Sequence, residues 1–196
     1  MVRFLLFIKH KCAFLWQLIE QVNSLIFYLC YKKKLKRLKN IVTEINQYSS
    51  YRIVLLQKED MCILSDFFAK QPKEYLAFFK PHKFNYKALV QKNKDKSFIM
   101  LGVKDHNQLV AYGFLRCFFT GKSFRGKIVD VDNQGKGIAK LLGETITTIA
   151  EVLELRLFAT VSKDNIKSIA SSKAVNNIRV IKELPDNYLF VEYLRK

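Results

Sequence analysis

The stretch that most narrows what this chain can become is residues 124–142, FRGKIVDVDNQGKGIAKLL. A short apolar run (Ile128, Val129, Val131) meets a tight turn, Gln134-Gly135-Lys136-Gly137-Ile138-Ala139. A helix-period segment follows at once, with Ile138, Leu141, Leu142, Ile146, Ile149 and Ala150 on one face. Strand, glycine turn and helix in that order aim free backbone N–H groups at an anion. The first N–H groups of a helix have no internal partner, and the helix dipole adds about half a positive charge there. Gly135 and Gly137 carry no Cβ, so backbone can approach a bulky diphosphate. The turn reads as a phosphate cradle. It is not a Walker A loop, which needs a Lys-Ser/Thr pair after a longer glycine loop. Nor is it a dinucleotide fingerprint, whose third glycine position is Lys140 here.

A cradle for phosphate suits the charge of the whole chain. Its 196 residues hold 34 Lys/Arg against 17 Asp/Glu, and nine of the basic residues and two of the acidic ones fall in residues 1–50. Both parts are therefore basic, and such a field favours polyanionic partners: CoA phosphates, a nucleotide-linked substrate, anionic lipid or nucleic acid. With 49% hydrophobic and 26% charged residues the chain is globular and large enough for a packed core. Cys12, Cys30, Cys62 and Cys117 are scattered without C-x-x-C spacing, which argues against a zinc cluster or a disulfide framework. Cys117 reads as a small core residue, and reduced thiols fit a cytoplasmic protein. No metal is expected.

Residues 1–31 are apolar but interrupted by Lys9, Lys11 and Glu20, and the longest charge-free run, 21–31, is too short for a bilayer span of about 20 residues. A secretory signal is not expected, since no small-residue cleavage site follows. Wound as a helix, Phe4, Ile8, Cys12, Leu15, Ile19, Val22, Ile26 and Leu29 form one stripe, which Lys11 and Asn23 spoil slightly. A basic block, KKKLKRLK, follows at residues 32–39. An amphipathic helix with a polybasic block suits an anionic membrane face on the cytoplasmic side. The alternatives are docking of residues 1–39 on its own domain or on a second subunit, as in a homodimer; nucleic acid is the weakest partner. A polar break at 46–50 marks the expected boundary between an appendage, 1–46, and a domain, 47–196.

In that domain a strand is expected at 51–56, helices around 58–68, 73–79 and 86–93, and strands at 97–103 and 108–119 joined by a turn at 104–107. After the motif helix come a buried strand at 155–161, a helix at 162–173 capped by Ser162 or Asp164, and a closing hairpin, 178–181 and 188–194, around 184–187.

Gln134, Gly137 and Ala139 resemble motif A of the GNAT acyltransferase superfamily, Arg/Gln-x-x-Gly-x-Gly/Ala. The resemblance covers roughly residues 52–194. It is similar to a bacterial branch with a Phe-x-Pro-His loop, here Phe79-Lys80-Pro81-His82. That branch also has a Tyr-Gly-x-Leu-Arg strand, here Tyr112 to Arg116, and an Asn-x-x-Ala/Ser, here Asn165 and Ser168. The resemblance implies an α/β (α+β) fold with a mixed central sheet, splayed between its fourth strand (127–131) and its fifth (155–161) and flanked by helices. It implies acetyl-CoA as co-substrate, with Gln134, Gly135, Lys136, Gly137, Ile138 and Ala139 at the pyrophosphate. Ile128 and Val129 would line the pantetheine channel, with Asn165 on the CoA arm. An amine acceptor would attack the thioester directly.

Several positions depart from the family pattern. Where the family has a proton-donating Tyr this chain has Ser172, and the strand before the turn lacks the usual glutamate base, its acidic neighbours being Asp130 and Asp132. The Gly-Phe that closes motif B is Asn176-Asn177, read as a left-handed substitution. His82 is then the expected base, its ordinary pKa suiting deprotonation of an ammonium. Tyr112 and Arg116 face one side of a strand, where Arg116 could grip an anionic acceptor or form a structural ion pair. The expected activity is N-acetylation of a small, anionic primary amine such as a nucleotide-linked amino sugar. The rivals are a non-catalytic acyl-CoA- or partner-binding module, and acetylation of a protein or an aminoacyl-tRNA.

Overall fold

A computed structural model describes residues 13–196. Two helices open the described chain, α1 (Ala13–Leu35) and α2 (Leu38–Asn46). Then come β1 (Arg52–Leu55), α3 (Met61–Lys70), a 3-10 turn at Tyr75–Phe78 and α4 (Tyr86–Asn93). The strands β2 (Phe98–Asp105), β3 (Gln108–Phe118) and β4 (Lys122–Val129) lead into α5 (Ile138–Val152). The chain closes with β5 (Arg156–Ser162), α6 (Ile166–Lys173), β6 (Asn176–Leu184) and β7 (Tyr188–Arg195).

The seven strands form one sheet in the order β1-β2-β3-β4-β5-β7-β6. All neighbours are antiparallel except β4 and β5, which α5 joins as a crossover. Their parallel pairing stops after Lys122↔Arg156, Ser123↔Leu157 and Phe124↔Phe158, and beyond it the two strands separate. One face of the sheet packs against α1, α2 and α5 through Phe27, Leu38, Val42, Val129, Leu142, Ile146 and Ile149. The other packs against α3, α4 and the loop between them through Leu64, Phe68, Leu89, Tyr112, Phe114 and Ile128.

The division expected at residue 46 is not a division of the core. Phe27, Leu38 and Val42 are buried beside sheet residues, and the Asn46 amide bonds both the N–H and the carbonyl of Ile53 (2.7 and 2.9 Å), stitching α2 to β1.

Other boundaries moved for local reasons. β4 begins at Lys122 rather than 127, because its inward positions there are Ser123 and Arg125, which break the apolar alternation. Val131 lies in a 3-10 turn and is 41% exposed. β5 runs through Ser162, so α6 begins later than expected, and its cap is Asn165, whose Oδ1 accepts from Ser168 N–H at 3.1 Å. Asn176 and Asn177 are strand residues, not left-handed ones; positive φ outside glycine falls at His106, Asp186 and Asn187 in hairpin turns and at Glu154 after α5.

Candidate functional site

The site is built where β4 and β5 part. From Arg125 onward no strand among the described residues pairs with the β5-facing edge of β4, while the other edge stays bonded to β3 as far as Ala111↔Val129. The Val129 carbonyl takes a hydrogen bond from the Tyr75 hydroxyl at 2.7 Å. Asp130 is held by Gln71 (2.8 Å) and Asn133 (2.8 Å), which fixes the exit of β4 into the turn and commits that carboxylate.

Gly135 and Gly137 both adopt left-handed backbone, φ 79° and 80°, where a side chain is strained, and Gly137 is the N-cap of α5. A Cβ built on either would enter open space, with nothing within 4 Å. The backbone here is bare toward solvent, as a cradle for a bulky anion requires. Ile138 turns its side chain into the core, 1% exposed, so its contribution to a ligand would be its N–H. Ala139 is half-buried beside it. Three ammonium groups ring the turn. Lys136 bonds Asn133 Oδ1 at 2.8 Å, Lys140 pairs loosely with Glu144 at 3.8 Å, and Lys167 of α6 reaches across to Gln134 Oε1 at 3.0 Å. Lys167 escaped the sequence reading because nothing in its local pattern ties α6 to a turn 33 residues earlier.

Beneath α5, on the inward face of β4, lie two cations that the sequence reading also passed over. Lys127 Nζ donates to the Ala139 carbonyl (2.7 Å) and lies 3.5 Å from the Ser171 carbonyl, bridging the first turn of α5 and the last of α6. Burial, helped by the charge of Arg125, pushes its pKa down to about 7. Arg125 is buried, donates to Asn176 Oδ1 at 3.0 Å and lies over the Tyr193 ring at 3.5 Å. Its Nη2 finds no hydrogen-bond partner among the described residues. Asn176, expected as a left-handed substitution, is instead the buried strand residue whose side chain anchors this guanidinium. Ser172 is 2% exposed on the same turn of α6.

His82 is placed on the opposite face, one strand removed. It sits among Phe68, Phe84, Phe98 and Phe114, with Nε2 2.9 Å from the Tyr112 hydroxyl and Nδ1 2.9 Å from the Lys83 carbonyl. A carbonyl only accepts, so Nδ1 carries the proton and Nε2 accepts from Tyr112. Burial lowers the His82 pKa, which keeps the ring neutral. Tyr112 is fully buried and pairs directly with Ile128 of β4, which sets the His82–Tyr112 pair one strand from the splay. Arg116 is not brought here: it pairs with Glu20 of α1 at 2.9 Å, the structural ion pair. Asn165 is engaged as the cap of α6. Nearer the splay, Phe124, Phe158 and Phe190 stack at 5.5–6.0 Å on the face away from α5. Among the described residues no group of three or more His, Cys, Asp or Glu is placed to hold a metal ion.

No family model matches the sequence, and no curated protein matches it. Solved structures do match the fold. The GNAT domain of S. lividans PAT superposes with a TM-score of 0.63 at 18% identity, covering 74% of this chain and 90% of that one. Ribosomal-protein-S5-alanine acetyltransferase from Vibrio fischeri gives 0.62 at 18%, with 76% and 94% covered. Aminoglycoside acetyltransferase AAC(6')-Ib, in complex with coenzyme A and kanamycin, gives 0.58 at 11%, with 74% and 95% covered. The chain has the mixed α/β fold of the GNAT acetyltransferases, as its sequence led us to expect.

Proposed function

We propose that this protein is an acetyl-CoA-dependent N-acyltransferase acting on a primary amine. One observation carries the reading: the unpaired edge of β4 runs straight into a turn whose two left-handed glycines bare the N-terminus of α5 to solvent. An extended arm needs a free strand edge, and a diphosphate needs free N–H groups with no Cβ before them. Gln134 to Ala139 would hold the pyrophosphate, assisted by Lys136, Lys140 and Lys167. Ile128 and Val129 would line the channel with backbone. AAC(6')-Ib, which shares the fold, is a protein seen with coenzyme A.

Bound acetyl-CoA would bring a thioester for the amine to attack. The chain's own part is to position it and to handle protons. Ser172 is buried and weakly acidic, so Lys127 of β4, whose ammonium lies 3.5 Å from the neighbouring Ser171 carbonyl and titrates near neutrality, is the stronger group for giving a proton beside the channel. His82 is the proposed base on the other face, with the Tyr112 hydroxyl bonded to its Nε2. For the acceptor, the basic field and the wall of Phe124, Phe158 and Phe190 support an anionic amine with a flat ring, such as a nucleotide-linked amino sugar. Acetylation of a protein is the second reading, favoured by the fold shared with an S5-alanine acetyltransferase.

Calorimetry with coenzyme A tests the cradle. Wild type should bind, and Gly137→Asp, which sets a carboxylate at the helix N-terminus, should lose at least about tenfold in affinity while keeping its circular dichroism. A folded variant that binds coenzyme A as well as wild type would overturn the assignment. Thiol release in the presence of an amine panel then separates an enzyme from a binding module.

A further inference from the structure

We infer that α1 is a docking face for an anionic lipid bilayer, lying flat with its outward row against the headgroups. The inference does not depend on the acyltransferase reading. It begins from how α1 is held. Its inward row is largely polar: Glu20 pairs with Arg116 (2.9 Å) and Lys92 (3.6 Å), and Ser24 Oγ accepts from Lys96 N–H (2.9 Å). The Asn23 amide donates to Ser97 Oγ (3.1 Å) and the Cys117 carbonyl (3.0 Å). Phe27 plugs the core at 0% exposure, with Tyr31 and Leu35 beside it. These contacts fix the rotation of the helix about its axis.

The opposite row is therefore turned to solvent, and it is apolar. Phe14 is 75% exposed, Leu18 47%, Val22 47%, Leu25 60% and Leu29 56%, a spacing of three and four residues that keeps them in line. Leu15 and Ile19 widen the row, and a groove of about 330 Å³ beside it extends the apolar surface to Phe118 and Phe119. Isolated exposed leucines need no explanation, but a row along four turns of one helix does.

The same row, carried on, becomes cationic. Lys32, Lys33 and Lys36 continue the spacing after Leu29, and Arg37 and Lys39 follow, all exposed. Apolar turns running into lysines on one line match an interface whose interior is hydrocarbon and whose surface is anionic. A second copy fits worse, because it brings the same excess of positive charge, a formal +17, to the contact. Among the described residues no helix is long and apolar enough to cross a membrane, so the contact is one of lying on it. Docking would leave the glycine turn free. Asn23 binds at Cys117, opposite Ser123 at the start of β4, whereas the turn follows the end of that strand.

Sedimentation of the full chain with vesicles tests this, using phosphatidylcholine alone or with a quarter phosphatidylglycerol. The chain should bind the anionic vesicles at least tenfold better, and salt should weaken binding without abolishing it, since only the ionic part is screened. Leu18→Glu/Leu25→Glu should lose at least tenfold with its circular dichroism unchanged. Lys32→Glu/Lys33→Glu/Lys36→Glu should lose the salt-sensitive part. Trp16, the single tryptophan, supplies a readout that needs no variant: brominated lipid should quench it. Absence of anionic-vesicle binding by wild type, or binding untouched by the leucine pair, overturns the proposal. So does a wild-type dimer that the leucine pair dissociates while Trp16 stays unquenched.

Discussion

α5 and α1 close over one face of the sheet, yet they spend their apolar rows in opposite directions. α5 turns Ile138, Leu142, Ile146 and Ile149 inward to 1% exposure or less, and presents Lys140 and Glu144 to solvent. α1 is held by Glu20, Asn23, Ser24 and Phe27 and leaves Leu18, Val22, Leu25 and Leu29 in solvent. Hydrophobic periodicity is legible in both sequences, sharper in α5 than in α1. It reports that a helix has an apolar side, not what covers that side. The difference lies in the partner surface. α5 lies over apolar β3 residues and Val129, and the two β4 cations on that face are taken up by Asn176 and the Ala139 carbonyl, whereas the N-terminal half of α1 meets the polar ends of strands at Ser97, Arg116 and Cys117, which amides and carboxylates can satisfy.

The contrast breaks first, and hardest, at Ile146. It is fully buried in α5 against the sheet. Ile146→Ala should cost about 2–5 kcal/mol in urea denaturation, since it removes buried methylene groups and leaves a cavity. A loss below 1 kcal/mol would mean that α5 is no better packed than the outer row of α1.

The charge beneath α5 gives the next effect. Lys127 titrates at about 7 in the folded chain and near 10.4 when unfolded. Between those values the unfolded chain binds the extra proton, so stability should rise with pH by at most about 1.4 kcal/mol per unit from this group and flatten above them. Below pH 7 the ammonium is charged in both states and the burial cost is fully present. In Lys127→Met this contribution to the rise should vanish, and denaturation curves from pH 6 to 9 measure the difference between the two proteins. Equal slopes would place the ammonium in water.

These two residues also mark how much was legible. The Gly135–Gly137 turn and the α5 stripe are local patterns, and they made the fold, and the place of the turn within it, legible from sequence. The first half of β4 was invisible because Ser123 and Arg125 occupy inward positions. Arg125 and Lys127 were passed over for the same reason, and Asn176 and the Ala139 carbonyl are what receive them. The partners of Arg116 and Asn165 were illegible for a different cause: Glu20 and Ser168 N–H are brought to them by packing and capping, which no local pattern announces. Asn23, a flaw in the stripe when read as sequence, proves to be what pins the helix.

Asn23 sharpens the comparison from the side of α1. Asn23→Ala leaves the Cys117 carbonyl and the Phe119 N–H without their side-chain partner. A loss of about 1 kcal/mol is expected, since the Cys117 carbonyl bond is part-buried and the Phe119 N–H can turn to water. Amide exchange should locate it, with Phe119 and α1 losing protection before α5 does. If α5 opens at the same rate, the two helices are one cooperative unit and the contrast between them is only geometric.

The smallest effect is expected at Leu25, and it isolates what the outer row is for. At 60% exposure Leu25 has little to lose in solution, so Leu25→Ser should change stability by no more than about 0.5 kcal/mol, chiefly through helix propensity. Vesicles change the comparison. A bilayer that binds the folded helix stabilises it by mass action, so anionic vesicles should raise the melting temperature of wild type. In Leu25→Ser that rise should shrink while the value without lipid stays put. Ile146→Ala should show the reverse: a low melting temperature in buffer, with the full lipid-dependent rise retained. Two leucine-sized losses, on two helices of one sheet face, would then be separated by solvent alone. A Leu25→Ser protein that melts well below wild type in buffer would show instead that the row is already covered by protein.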